Sequence, residues 1–165
     1  MTGIGDLVVR GVLLGVAGAA LMDAWAWVAR RLFGVRGLDY ALLGRWIGHM
    51  PSGRLVHHRI AAAAPVRGER PLGWLAHYSI GVAFAFVLVA IWGPAWVESP
   101  TIVPPFLVAF ATILAPWLVM QPAMGAGVAG SRTPDPRATR IRNLATHAAY
   151  GTGLYLGALA LSAVG

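Results

Sequence analysis

The sequence predicts an all-α integral membrane fold: a bundle of four transmembrane helices with a long cytosolic connection that carries an interfacial helix. Three observations lead there. The 165 residues are 58% hydrophobic and only 12% charged, against roughly 25% charged in an ordinary soluble domain. Four apolar stretches reach the ~20 residues that a spanning helix needs. The basic residues, all arginine, fall between those stretches in two groups.

The first stretch, residues 7–29, runs from Leu7 to Ala29 and is interrupted by Arg10 near its start and Asp23 near its end. A cleaved signal peptide is the alternative reading, since Ala24-Trp25-Ala26 has a small-x-small shape. The absent positive n-region, the full spanning length and the Arg30-Arg31 pair that follows favour a retained helix. The second span covers residues 72–92. The third, 102–124, opens at Pro104-Pro105, and Pro116 removes a hydrogen bond and kinks it. The fourth covers residues 144–164. None alternates with period two, so a barrel is not expected. The whole chain, 1–165, reads as a single transmembrane domain.

The connections set the orientation. Arg30, Arg31, Arg36, Arg45, Arg54, Arg59, Arg67 and Arg70 lie in connection 30–71, and Arg132, Arg137, Arg140 and Arg142 lie in connection 125–143. Between the second and third spans only Glu98 is charged. Arginine excess marks the cytosolic side, which places both termini in the periplasm of a bacterium with a multi-pass inner-membrane protein. Within the first connection, Leu38, Leu42, Trp46 and Met50 recur at helical spacing and predict the interfacial helix.

Composition also excludes. The formal charge of +7 is dispersed between apolar runs, not gathered on one nucleic-acid-binding face, so no nucleic-acid partner is expected. There is no cysteine, which removes disulfides and thiolate chemistry. No GxSxG elbow occurs, Ser79 does not face His77, and GAGVAG lacks the ending of a phosphate loop. No catalytic residue is assigned, and an enzyme is the less favoured reading.

Polar residues inside the spans are few. Asp23, His77, Gln121 and His147 are placed by sequence at a similar depth in the cytosolic half, and a carboxylate in a spanning helix is costly unless paired. They form a candidate intramembrane site. One reading is a buried hydrogen-bond network that holds the bundle. The others are a solute pathway, or a haem or copper site in which His77 and His147 are flanked by Met120 and Met124. His49, Met50, His57 and His58 form a second soft-ligand cluster without a close-packed ligand spacing, and with Arg45, Arg54 and Arg59 beside them His49, His57 and His58 also suit a lipid headgroup or another anion. His49 and His57, with Pro51, Ser52 and Gly53 between them, can converge by a turn. Glu69, between Arg67 and Arg70, reads as an ordinary interface charge.

Small residues mark helix packing: Gly11, Gly15, Gly81 and Gly151, with the kink at Pro116. Spans two and four share an HxxxG pattern, His77 to Gly81 and His147 to Gly151, compatible either with an internal duplication or with chance in a biased composition. A homo-oligomer and membrane lipid are the expected partners.

Met22-Asp23-Ala24-Trp25, Gly44 through Met50, His77-Tyr78, Pro116 through Gly125 and His147 through Tyr155 resemble a bacterial family of uncharacterised membrane proteins, DUF2938. The Pro116-Trp117-x-x-Met120-Gln121-Pro122-Ala123-Met124-Gly125 run is the most specific part. The resemblance implies an inner-membrane protein of about this size and carries no activity, ligand or cofactor with it. The expectation is a membrane protein of undefined molecular function, structural or partner-binding. The alternatives are a haem- or metal-binding protein using Asp23, His77 and His147, or a small solute transporter.

Overall fold

The computed structural model describes residues 3–35 and 37–164, so Arg36, one of the predicted cytosolic arginines, lies outside the described residues. The described residues are helical and contain no strand. Helix α1 spans Ile4–Phe33 and outruns its apolar stretch at the C-terminus. Arg30 and Arg31 sit in its last turn, where cations complement the helix dipole, and Gly34 ends it in the left-handed conformation (φ 66°). Helix α2 is Tyr40–His49, with the Asp39 carboxylate accepting from the Ala41 N–H as N-cap. Helix α3 is Glu69–Trp92 and the short α4 is Pro94–Glu98. Helix α5 is Val103–Ala111, followed by a π-helical turn over Pro116–Met120 and by α6, Gln121–Ala123. Helix α7 is Pro136–Val164.

Among the described residues three helices, not four, are long and apolar enough to cross a membrane: Ile4–Phe33, Glu69–Trp92 and Val103–Ala123. The predicted fourth span exists as a helix, and it starts eight residues earlier than the predicted 144–164, at Pro136. The Asp135 carboxylate caps that start by accepting from the Ala138 N–H at 2.9 Å. Its composition explains why it falls short in apolarity. Gly151, Gly153 and Gly157 of α7 sit against Ala109, Gly18 and Ala17 respectively, so close packing takes small residues at these positions, while Ile141, Leu144, Leu156, Leu159 and Val164 of the same helix are exposed. The kink expected at Pro116 takes the form of the π turn, in which the Gln121 N–H reaches back to the Pro116 carbonyl.

The chain divides into two compact units. The first comprises the described residues of Met1–Gly37, Tyr78–Thr112 and Ala145–Gly165. Its core is a cluster of Leu14, Ala85, Leu88, Trp96, Val97, Val108, Ala109, Tyr150, Leu154 and Ala158, drawn from α1, α3, α4, α5 and α7. Helix α4 was not foreseen. Its Trp96 and Val97 are buried in this core, and the Trp96 indole N–H donates to the Thr101 carbonyl at 3.1 Å. Close approach of α1 and α3 is set by Gly15: a Cβ there would sit 2.7 Å from the Val82 nitrogen and 2.9 Å from the Gly81 carbonyl. The outward residues of these helices remain apolar, among them Val8, Val9, Leu13, Val87, Ile91 and Leu107.

The second unit is Leu38–His77 with Ile113–Leu144. Here α2 lies backbone to backbone on the first turns of α3. A Cβ on Gly44 would overlap the Glu69 carbonyl, and one on Gly73 would overlap the Tyr40 carbonyl. The buried side of α2 centres on Leu43 and Gly44, while Leu38, at the start of the Leu38–Leu42–Trp46 stripe, is exposed. Glycine contact, invisible to hydropathy, decides which face is covered.

Candidate functional site

Asp23 and His147 lie in the first unit. Asp23, on α1, accepts from the Tyr78 hydroxyl of α3 at 2.9 Å. His147, on α7, places Nδ1 2.9 Å from the Ala109 carbonyl of α5 and 3.3 Å from Thr112 Oγ1. A carbonyl only accepts, so Nδ1 carries the proton and Nε2 the lone pair. Thr112 Oγ1 donates to that same Ala109 oxygen at 2.8 Å. Each is a polar tie between two helices.

His77 and Gln121 lie in the second unit. The His77 ring stacks on Tyr40 at 4.5 Å between centroids, with Nε2 3.2 Å from the Tyr40 hydroxyl, and Trp74 meets it edge-on at 6.1 Å. Gln121 is buried. With the Asn143 amide turned so that its oxygen faces the donors, Asn143 accepts from Gln121 Nε2 at 2.6 Å and from the Trp117 indole at 2.9 Å, and donates to the Thr139 carbonyl at 3.0 Å. Of the flanking thioethers, Met124 is buried and Met120 lies in the π turn.

Among the described residues, no group of three His, Asp or Glu side chains converges as a metal site. The residues that serve as partners, Tyr78, Tyr40, Thr112 and Asn143, were not singled out by sequence. A hydroxyl or amide one residue beyond a candidate, as Tyr78 follows His77, is the only signal that could have marked one of them.

In the connection, the Arg45 guanidinium grips Glu69 with two hydrogen bonds, 2.8 Å from Nε and 2.7 Å from Nη2, and Nη1 donates to the Ala61 and Ala63 carbonyls. Hydrogen bonding to Glu69 raises the Arg45 pKa above its already high ordinary value, so this cation stays charged. Glu69 also accepts from the Val66 N–H at 2.9 Å. Its cation is thus Arg45, twenty-four residues earlier, and not Arg67 or Arg70: geometry of the bidentate fork wins over proximity in sequence. Arg54, His58 and Arg59 are exposed.

His49 and His57 do converge. Met50–Ser52 forms a 3-10 turn with Pro51 near its start, and Gly53 follows in the left-handed conformation (φ 77°). The Arg54 N–H bonds the His49 carbonyl at 3.3 Å, and the Trp46 indole donates to the Leu55 carbonyl at 2.8 Å. The returning strand of chain then docks on α6 and its end. The His57 N–H donates to the Ala123 carbonyl at 2.7 Å and the Ile60 N–H to the Met124 carbonyl at 3.1 Å. Gly125 (φ 92°) passes so close to the His58 carbonyl that no side chain fits there. The His49 and His57 rings end 5.1 Å apart, tilted by 56°.

These features define an all-helical protein with three helices fit to span a bilayer and a second unit folded from its arginine-bearing connections. The chain belongs to the DUF2938 family, described as a protein of unknown function, whose model matches residues 12–161. No curated protein and no solved structure matches it.

Proposed function

We propose that this chain is a structural or partner-binding component of a bacterial inner membrane, with its arginine-bearing connections in the cytosol. The observation that carries the reading is the pairing of three apolar helices with an arginine count of twelve in the two connections and one elsewhere. Outward apolar residues on α1, α3 and α5 suit lipid. The exposed Arg54, His58 and Arg59 suit anionic headgroups. The candidate intramembrane polar residues act as ties: Asp23 to Tyr78, His147 to Ala109 and Gln121 to Asn143. In this reading α7, packed by its glycines on α1 and α5, returns the chain so that both termini face the periplasm.

The cysteine-free sequence makes the test direct. Single cysteines at Gly5, Ser52, Ser99, Ser131 and Ser162 are labelled in intact cells with a membrane-impermeant maleimide, then again after permeabilisation. Labelling of positions 5, 99 and 162 in intact cells, and of 52 and 131 only after permeabilisation, is expected. The reverse pattern would overturn the orientation. Protection of position 162 in intact cells, with labelling on permeabilisation, would place the C-terminus in the cytosol and leave three spans.

A further inference from the structure

The His49–His57 pair has no part in the reading above, and its hydrogen bonding leaves both rings with an uncommitted nitrogen. His49 Nε2 lies 3.0 Å from the Ala64 carbonyl. That oxygen can only accept, so Nε2 holds the proton and Nδ1 presents the lone pair. His57 Nε2 is shielded from solvent and has no hydrogen-bond partner. A buried polar nitrogen left this way is costly and calls for an explanation.

We propose that His49 and His57 bind one divalent transition-metal ion of the zinc type through His49 Nδ1 and His57 Nε2. Three features support it. Two imidazoles on one tetrahedral ion, with metal–nitrogen bonds of about 2.0–2.1 Å, hold their ring centroids roughly 5 Å apart; here the separation is 5.1 Å. The His49 Nε2–H to carbonyl bond is the arrangement that orients a ligating imidazole and raises the basicity of its other nitrogen. The positions are fixed from both sides, by the Pro51–Gly53 turn and by the backbone bonds of His57 and Ile60 to Ala123 and Met124. Simple ring contact would explain the distance but would leave the His57 nitrogen unpartnered. With two imidazoles in place of three or four protein ligands, the site suits an exchangeable ion, not a permanent structural one.

The test is equilibrium titration of the tag-free full-length protein in detergent with zinc against a chromophoric competitor. One equivalent per chain is expected. His49→Gln and His57→Gln should each lower the affinity roughly tenfold or more. The single variants His58→Ala, His77→Ala and His147→Ala should leave it within about twofold. Absence of a stoichiometric site, or a site kept in folded His49→Gln and His57→Gln and lost in His77→Ala or His147→Ala, would overturn the assignment. If the glutamine variants do not fold, the copper(II) form of the unaltered protein decides. Its electron paramagnetic resonance spectrum should show coupling to two imidazole nitrogens, and coupling to none or one would overturn the proposal.

Discussion

Replacing Gly15 by alanine should loosen the bundle, while the same change at Gly5 of the same helix should not. A Cβ at Gly15 would stand 2.7 Å from the Val82 nitrogen and 2.9 Å from the Gly81 carbonyl, where ordinary contacts need about 3.5–4.0 Å. The obstacles are backbone atoms, so no rotamer change relieves them. Helices α1 and α3 must part by about 1 Å, and a gap of 0.5–1 Å forfeits about a quarter to a half of each affected dispersion contact. The neighbouring Gly81–Ala19 approach, 3.3 Å from a Cβ on Gly81 to the Ala19 methyl, opens with it. Overpacking of this kind costs about 1–3 kcal/mol. At Gly5 nothing lies within 4 Å, so only the helix preference of alanine acts, for a gain of zero to about 1 kcal/mol. Reversible unfolding in mixed micelles, followed by circular dichroism, measures both. The two substitutions should move stability in opposite directions. Gly15→Ala at or above the stability of the unaltered protein would refute the close-contact argument.

Two further outcomes follow from the second unit. Asn143→Ala removes the acceptor shared by Gln121 and the Trp117 indole, and the buried Gln121 donor left unpaired costs about 1–3 kcal/mol; a variant melting within a degree of the unaltered protein would contradict that network. Arg45→Lys keeps the charge and loses the two-pronged grip on Glu69. Amide exchange should therefore quicken around residues 61–66 and stay unchanged in α1, and uniform protection across both regions would show the fork to be dispensable.

The three long apolar helices were legible because each carries a long apolar run, and each came out within about four residues of its sequence bounds. The kink was legible at Pro116 because proline lacks an N–H. Helix α7 was legible as a helix, but the glycines that pack it, with Thr146, His147 and Thr152, leave it short of the apolarity of a span. The protein contact of α2 at Gly44 was not readable because glycine carries no hydropathic signal, and α4 was not, because five residues are too few to show a period. For the candidate site, residue types were readable and partners were not. Asp23 accepts from Tyr78 and Glu69 pairs with Arg45, contacts spanning 55 and 24 residues that no spacing rule specifies. The approach of His49 and His57 was readable, since Pro51 and Gly53 prescribe a turn at short range.

The docking of residues 57–60 on Ala123 and Met124 also has a consequence for biosynthesis. The His57 and Ile60 N–H groups are translated more than sixty residues before the carbonyls that receive them. A chain emerging from the ribosome thus completes its first two long apolar helices while this connection is still without its acceptors. Only when the Gln121–Gly125 turn has emerged can the clasp close. A nascent chain arrested at Ala115 should therefore be cut by protease near Leu55, and one arrested well beyond Gly130 should resist it.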